Sequence, residues 1–270
     1  MAALADVIVA LEEIAPLRLA AAWDSVGLLV GTRRPTIDRV MTCLTLTEAV
    51  AHEAIRDRAD MIVVHHPLPF RPIGRITPDT ATGRVLLDVM AAGIAVWSGH
   101  TAWDSAAGGI NDQLAGLLGL EHVTPIEPDA LHHLTGFGRI GTAPAGWTVA
   151  DAARHVARKL AAAGPTAKVS GVQVAGDPGR AAGRVGIVCG SGGEAVAAVK
   201  RVGGTTLLTG EIKLHDALAA VAEGVAVIAV GHHASERFAM VTMAQRLAEA
   251  VRGLTCWASR DETDPLAWLP

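Results

Sequence analysis

The chain has 270 residues, 50% of them hydrophobic, 19% charged and only 3% aromatic, with no tyrosine. That apolar content excludes a disordered chain, and the length gives room for one large domain or two smaller ones with ample cores. Lys and Arg number 23 against 27 Asp and Glu, a formal net charge of -4, so the basic footprint of a duplex-DNA binder is missing.

Cys43, Cys189 and Cys256 are odd in number, lie far apart and form no CxxC pair. They make no disulfide framework and fit a reducing, cytoplasmic setting. No apolar run reaches the roughly 18 residues of a membrane span. The opening MAALADVIVALEEIAPL has acids where a signal peptide is basic, and reads as an amphipathic helix.

Along the chain, short apolar runs alternate with Ala-rich helical stretches, the pattern of an α/β fold with mainly parallel sheets. After the N-terminal helix, Trp23-Asp24-Ser25 leads into a buried strand ending at Gly31. Strands follow at Val40 to Thr45, Met61 to Val64 and Ile94 to Ser98. Between them fall helices from Thr47, a capping residue, to Arg58 and from Thr82 to Ala92, the latter closed by Gly93. A helix from Gly109 to Leu118 ends near Gly119, and the acid- and proline-containing Glu121 to Pro128 resembles a boundary. Next come a strand at Thr135 to Ile140 and a helix at Val149 to Ala163; Ala175 to Gly183 reads as a hairpin or surface loop. Strands at Val185 to Cys189, Thr205 to Leu208 and Val225 to Val230 precede a last long helix, Ala234 to Val251.

Three apolar strands end in the same manner. Met61 to Val64 runs into His65-His66-Pro67, Ile94 to Ser98 into Gly99 and His100-Thr101-Ala102-Trp103-Asp104, and Val225 to Val230 into Gly231-His232-His233-Ala234-Ser235-Glu236. Ligands in open α/β sheets bind beyond the carboxyl ends of the strands. The groups delivered there are imidazoles and carboxylates without a thiol, a donor set suited to zinc, iron or manganese. His232 and Glu236 stand four apart at a helix start and share a face. Five ligands, with bridging carboxylates, suit two divalent ions about 3.5–4 Å apart, the arrangement that activates water against phosphorus or an electrophilic carbon. A single strand-end histidine is more often a satisfied polar residue; the case rests on three such tips. His132-His133 has no apolar run feeding it and stays outside the set.

A further segment, Thr209-Gly210-Glu211-Ile212-Lys213-Leu214-His215-Asp216, also lies at a strand tip, with Glu211 and His215 four apart. It supplies either a general acid or base or an outer partner for a ligand imidazole, or else is a helix start with acids placed against the dipole. His100 poses the same choice. Lys213 and the Cys189-Gly190-Ser191-Gly192-Gly193 turn are candidates for holding phosphate, although the turn lacks P-loop spacing.

These segments, together with Gly108-Gly109-Ile110-Asn111-Asp112 and Gly136-Phe137-Gly138-Arg139-Ile140-Gly141, resemble in order and over nearly the whole chain the NIF-three-like (NGG-one-interacting factor three) dinuclear metal family, the GTP cyclohydrolase 1 type 2 homologs. The resemblance implies metal ligands at His65, His66, Asp104, His232 and Glu236, and two divalent metal ions per chain. It implies two interlinked α/β domains with the metals between them, placed here at 1–128 plus 231–270 and at 129–230, and a ring-like homohexamer. Ala102 and Trp103 replace the family's usual His-Thr-Asn-x-Asp pattern, and Ser25 a common Asn; neither removes a ligand. The implied activity is that of a dinuclear metal-dependent hydrolase on a nucleotide or related small molecule, with GTP ring opening favoured by the family label. His100, His215 and Glu211 are then the acid–base candidates. The alternative is a non-catalytic metal-binding oligomeric scaffold or regulatory protein.

Overall fold

A computed structural model describes residues 1–163 and 171–267. Its contacts group the chain into two compact units: Met1–Trp103 with Ala239–Thr263, and Asp104–Phe238 with residues 264–267. Among the described residues, no helix is long and apolar enough to cross a membrane.

In the first unit, helix α1 (Leu4–Ile14) buries Val7, Ala10, Leu11 and Ile14, the stripe expected of an amphipathic helix. Strand β1 (Gly27–Val30) is followed by β2 (Arg39–Thr45), whose central residues are all buried. Helix α2 (Glu48–Arg56) starts at Thr47, whose hydroxyl accepts from Val50 N at 3.3 Å. Strand β3 (Met61–His66) leads to α3 (Ala81–Ala91), capped by Thr80, and then to β4 (Ala95–Ser98). Helix α4 (His100–Ser105) carries the chain into the second unit.

There, α5 (Ile110–Leu118) ends at Gly119, left-handed at φ 68°. Strands β5 (Glu121–Thr124) and β6 (Arg139–Thr142) precede α6 (Val149–Ala162), whose Thr148 and Asp151 form a reciprocal capping box. The remaining elements are β7 (Gln173–Ala175), β8 (Arg184–Ser191), α7 (Val196–Arg201), β9 (Thr206–Glu211), α8 (Leu214–Ala222), β10 (Ala226–Ala229) and α9 (His232–Glu236). The sheet order is β7-β10-β9-β8-β6-β5. Strands β8, β9 and β10 are mutually parallel, whereas β5, β6 and β7 pair antiparallel.

The chain then returns to the first unit as α10 (Ala239–Ala250) and β11 (Thr255–Ala258). This completes a sheet of order β11-β2-β3-β4-β1, parallel except for β1. Mainly parallel pairing thus describes the first sheet and the centre of the second.

Several boundaries differ from the sequence reading. The divisions at 128/129 and 230/231 fall inside the second unit, because β5 pairs with β6 and α9 packs on β8 and β9. The Glu121 to Pro128 stretch holds β5 and a short strand, Glu127–Pro128, paired with Gly136–Phe137, so it is not a linker. The strand expected at Thr135 to Ile140 breaks at Gly138, whose φ of 58° turns the chain from that hairpin into β6. The single helix expected from Ala234 to Val251 is two, α9 and α10, separated at the buried Arg237 and Phe238. Strand β11 was not foreseen: its four residues have no alternating pattern and owe their conformation to parallel pairing with β2.

Two buried polar knots hold these frames. In the first unit, the fully buried Glu53 carboxylate accepts from Ser259 Oγ and from the amides of Arg260 and Asp261, while Glu262 accepts from Leu44 N at 3.0 Å and Thr45 N at 2.6 Å. In the second, Arg139 donates to the carbonyls of Gly136, Gly138 and Ala106 and pairs with Asp112, tying the hairpin to α5.

Candidate functional site

In the first unit the site is built at the carboxyl ends of parallel neighbours. Strand β3 ends in His65 and His66, and β4 ends one residue before Gly99 and His100, so three imidazoles emerge side by side. One ring nitrogen from each of His65, His66 and His100 lies within 4.8 Å of the others. The ring centroids of His65 and His66 are 5.1 Å apart, and those of His65 and His100 5.2 Å. Such a grouping could hold a metal ion, each imidazole offering one nitrogen donor.

Outer partners orient the rings. At the tip of β2, Thr45 Oγ1 shares a 2.8 Å hydrogen bond with His66 Nδ1. The Ser98 hydroxyl donates to His65 O at 2.7 Å, fixing the two strand ends together. Strand β1 runs antiparallel with Gly27 opposite Ser98, so the residues just before it arrive at this same edge. Asp24 therefore meets His100, Oδ1 to Nδ1 at 2.8 Å, and accepts from the Thr101 amide at 3.2 Å and from the Thr101 hydroxyl at 2.5 Å. Burial pushes this carboxyl up, but hydrogen bonds from His100 and Thr101 outweigh it and hold Asp24 below the usual carboxylate range. His100 itself sits at φ 28°, a left-handed conformation costly for a residue with a Cβ, on the order of 1–3 kcal/mol. The Asp24 contacts to the His100 ring and to the amide and hydroxyl of the next residue, Thr101, hold it there.

The second unit gathers the carboxylates. Parallel strands β8, β9 and β10 end at Cys189-Gly190-Ser191, Gly210-Glu211 and Val230-Gly231, and α9 begins at the last tip. His232 Nε2 lies 3.2 Å from Glu236 Oε2, the i and i+4 pair of one helical turn, and His232 Nδ1 lies 3.2 Å from Glu211 Oε1. Burial disfavours a charged His232, yet the Glu236 and Glu211 carboxylates on either side raise its pKa to about 9. The Cys189 thiol donates to Asp104 Oδ1 at 3.2 Å. Burial, then the charges of Asp104 and Glu236, push that thiol well above its ordinary range, so it stays protonated and acts as a hydrogen-bond donor. Asn111 joins the pair from α5, accepting from Cys189 N at 2.8 Å and donating to Asp104 O at 3.1 Å.

Glycines make this approach possible. A Cβ on Gly190 would stand inside 3.0 Å of Glu236 Oε1 and 3.2 Å from His232 Nε2, at a φ of 62°. One on Gly210 would meet Gly190 O and Ser235 Oγ, both at 2.6 Å. Ser235 completes the cradle, accepting from Gly190 N at 2.9 Å and donating to His232 O at 2.8 Å.

Of the residues singled out in the sequence, His65, His66 and His100 are brought together in the first unit, and Asp104, His232, Glu236 and Glu211 in the second. The shared helix face of Glu211 and His215 does not form, because Glu211 ends β9 and α8 starts only at Leu214. Glu211 instead partners His232, whereas His215 is exposed in the first turn of α8. Lys213 is the exposed N-cap of that helix. His132 and His133 stack on each other, 5.5 Å apart, in the exposed hairpin loop. Sequence reasoning did not foresee Thr45 or Asn111 as parts of the site, nor the Asp24–His100 pair, and it took Cys189 as the start of a phosphate-holding turn and not as the partner of Asp104 and Asn111. Thr45 and Cys189 carried a signal, since each closes an apolar strand.

Fold and site define a class: an α/β protein whose strand tips present histidine and glutamate groups able to hold metal ions. Residues 2–265 match the model of Duf34/NIF3 (NGG1p interacting factor 3), and the chain belongs to that family. It is 30% identical over 265 residues to a "GTP cyclohydrolase 1 type 2 homolog" of Clostridium perfringens, covering 98% of each chain. With "NIF3-like protein 1" of Drosophila melanogaster it shares 32% identity over 271 residues, 97% of this chain and 88% of the other. Its fold is similar to that of a Bacillus cereus protein related to NIF3, with a TM-score of 0.87 at 22% identity and 98% of both chains covered.

Proposed function

We propose that this protein is a dinuclear metal-dependent hydrolase acting on a nucleotide or a related small molecule, with His65, His66, Asp104, His232 and Glu236 holding two divalent ions. The observation that carries this reading is the convergence of the His65, His66 and His100 ring nitrogens within 4.8 Å at one sheet edge. Within the second unit His232 pairs with Glu236, and Asp104 accepts from the Cys189 thiol, so carboxylates of the kind such a centre needs also stand at strand tips. When bound, divalent ions supply Lewis-acid polarisation of the substrate and an activated water at neutral pH.

The chain's own residues supply the rest. With Nδ1 committed to Asp24, His100 has Nε2 for proton transfer, and Asp24 fixes the tautomer that makes this possible. Glu211 orients His232 through its second ring nitrogen, and Thr45 does the same for His66. Ring opening of GTP is the reaction suggested by the names of the relatives, and it is the first substrate to try.

The test is elemental analysis of metal per chain in wild type and Glu236→Ala, followed by nucleotide turnover with GTP first. About two ions per wild-type chain, fewer in the variant, and metal-dependent turnover are expected. Wild-type protein that takes up no metal under replete conditions sinks the proposal. Two ions without turnover on any nucleotide favour the scaffold reading instead.

A further inference from the structure

Aromatic side chains are scarce here, six Trp and three Phe, and three of them are spent in the core. Trp97 and Trp103 are fully buried and Phe238 nearly so. Trp23 and Phe70 break that economy. They are 67% and 51% exposed, the two most exposed aromatic rings among the described residues, and they lie against each other with centroids 6.1 Å apart.

Their location is specific. Both rings meet the His100 imidazole edge-on, Trp23 at 5.9 Å and 76°, Phe70 at 6.1 Å and 81°. Trp23 directly precedes Asp24, the partner of His100, and Phe70 follows His66 by one short Pro-Leu-Pro link. The two segments that set up the imidazole group therefore each add an exposed ring beside it. The rings are inclined at 54° to one another, so they form an open angle and not a closed stack. Such a corner offers a flat face and a wall to a planar ring entering from solvent. The same loop carries Arg71 and Arg75, both exposed.

We infer that Trp23 and Phe70 are the ring-binding subsite of this protein, taking a planar heteroaromatic group of an anionic substrate, a nucleobase, by stacking on Trp23 with Phe70 as the side wall. Arg71 and Arg75 attract the anionic part of the same molecule. Stacking of a base on an aromatic side chain tolerates any base, because every base has a π-face. The subsite selects for a ring, then, and not for guanine. This inference rests on the hydrolase reading and adds to it the part of the substrate that is recognised and the residues that recognise it.

The experiment compares equilibrium binding of guanosine 5′-monophosphate and of ribose 5-phosphate to full-length zinc-treated wild type, Trp23→Ala, Trp23→Phe and Phe70→Ala. Zinc per chain and sedimentation are measured on the same samples. Wild type should bind the nucleotide about tenfold or more tightly than the ring-less sugar phosphate. Trp23→Ala should lose about tenfold in nucleotide affinity while affinity for the sugar phosphate and zinc content stay unchanged, and Trp23→Phe should recover most of the loss. Phe70→Ala should show a smaller loss of the same kind. Equal binding of the two probes by wild type, binding of neither, or an unchanged nucleotide affinity in Trp23→Ala overturns the inference. A Trp23→Ala chain that changes its sedimentation coefficient and not its nucleotide affinity marks the rings as a chain–chain contact and overturns it too. Wild type that takes up no zinc under replete conditions yet prefers the nucleotide defeats the hydrolase reading alone, and zinc-loaded wild type without that preference defeats the subsite alone.

Discussion

Gly190→Ala gives a direct test of how tightly the second unit's carboxylate group is built. Two penalties apply. The first is conformational: φ at Gly190 is 62°, and placing a Cβ there costs about 1–2 kcal/mol, offset by about 0.4–1 kcal/mol because alanine restricts the unfolded chain. The second is steric: the new methyl lands on Glu236 Oε1, and Glu236 is buried in α9 with little room to retreat. Overpacking of that kind costs about 1–3 kcal/mol. Gly119→Ala isolates the first penalty, since its φ is 68° and nothing stands within 4 Å of its Cβ position. Measured by thermal unfolding of metal-free protein, Gly119→Ala should cost about 1 kcal/mol and Gly190→Ala about 2–4 kcal/mol. Metal per chain should fall only in Gly190→Ala, because the displaced carboxylate is one of the proposed ligands. A Gly190→Ala protein as stable as Gly119→Ala, with wild-type metal content, would refute the argument.

Asp24→Asn should preserve metal content and lower turnover by roughly 10²–10⁴-fold, the range for losing a general acid–base group or its orienting carboxylate; unchanged turnover removes His100 from proton transfer. The same variant tests linkage: the Asp24 pKa is depressed, so its stabilisation is fully present above about pH 3.8 and lost as pH falls through its lower folded value. The stability gap between wild type and Asp24→Asn should therefore be widest at neutral pH and close in acid, as denaturant titrations at stepped pH would reveal. Glu53→Ala leaves the donors of Ser259, Arg260 and Asp261 without their shared acceptor, a loss of about 2–4 kcal/mol, read as a lower urea midpoint and faster proteolysis after β11. Asp112→Ala strips the carboxylate from a buried guanidinium; since Arg139 keeps its carbonyl partners, about 2–3 kcal/mol is expected, and a loss under 0.5 kcal/mol would show the pair to be dispensable.

Strand-tip reasoning reached the histidines because the signal is local: four apolar residues, then His65-His66, or Gly231, then His232 and Glu236. What it missed is non-local. Asp24 reaches His100 only because β1 lies antiparallel to β4, and no periodicity within either segment announces that pairing. Cys189 reaches Asp104 because α5 supplies Asn111 between them. The expected Glu211–His215 face failed for a related reason: residues four apart are neighbours only if the helix has already begun, and β9 continues through Glu211. The interruption at Arg237 and Phe238 has no breaker residue. It follows from tertiary packing, α9 on β8 and β9, α10 on β2, β11 and α1.

The order of the chain also bears on how the protein is made. The second unit is almost wholly one uninterrupted segment, Asp104–Phe238, set within the sequence of the first. Strand β11 and the Glu53 and Glu262 contacts join residues more than 200 positions apart. During vectorial synthesis the first unit thus waits, with the β2 edge uncovered, while the second can close completely. A nascent chain arrested before Thr255 would carry a finished second unit and an unfinished first one, exposing to aggregation a strand whose five central residues are buried in the finished fold. Loss of the last few dozen residues would accordingly be felt at the amino-terminal histidines before it is felt at Glu236.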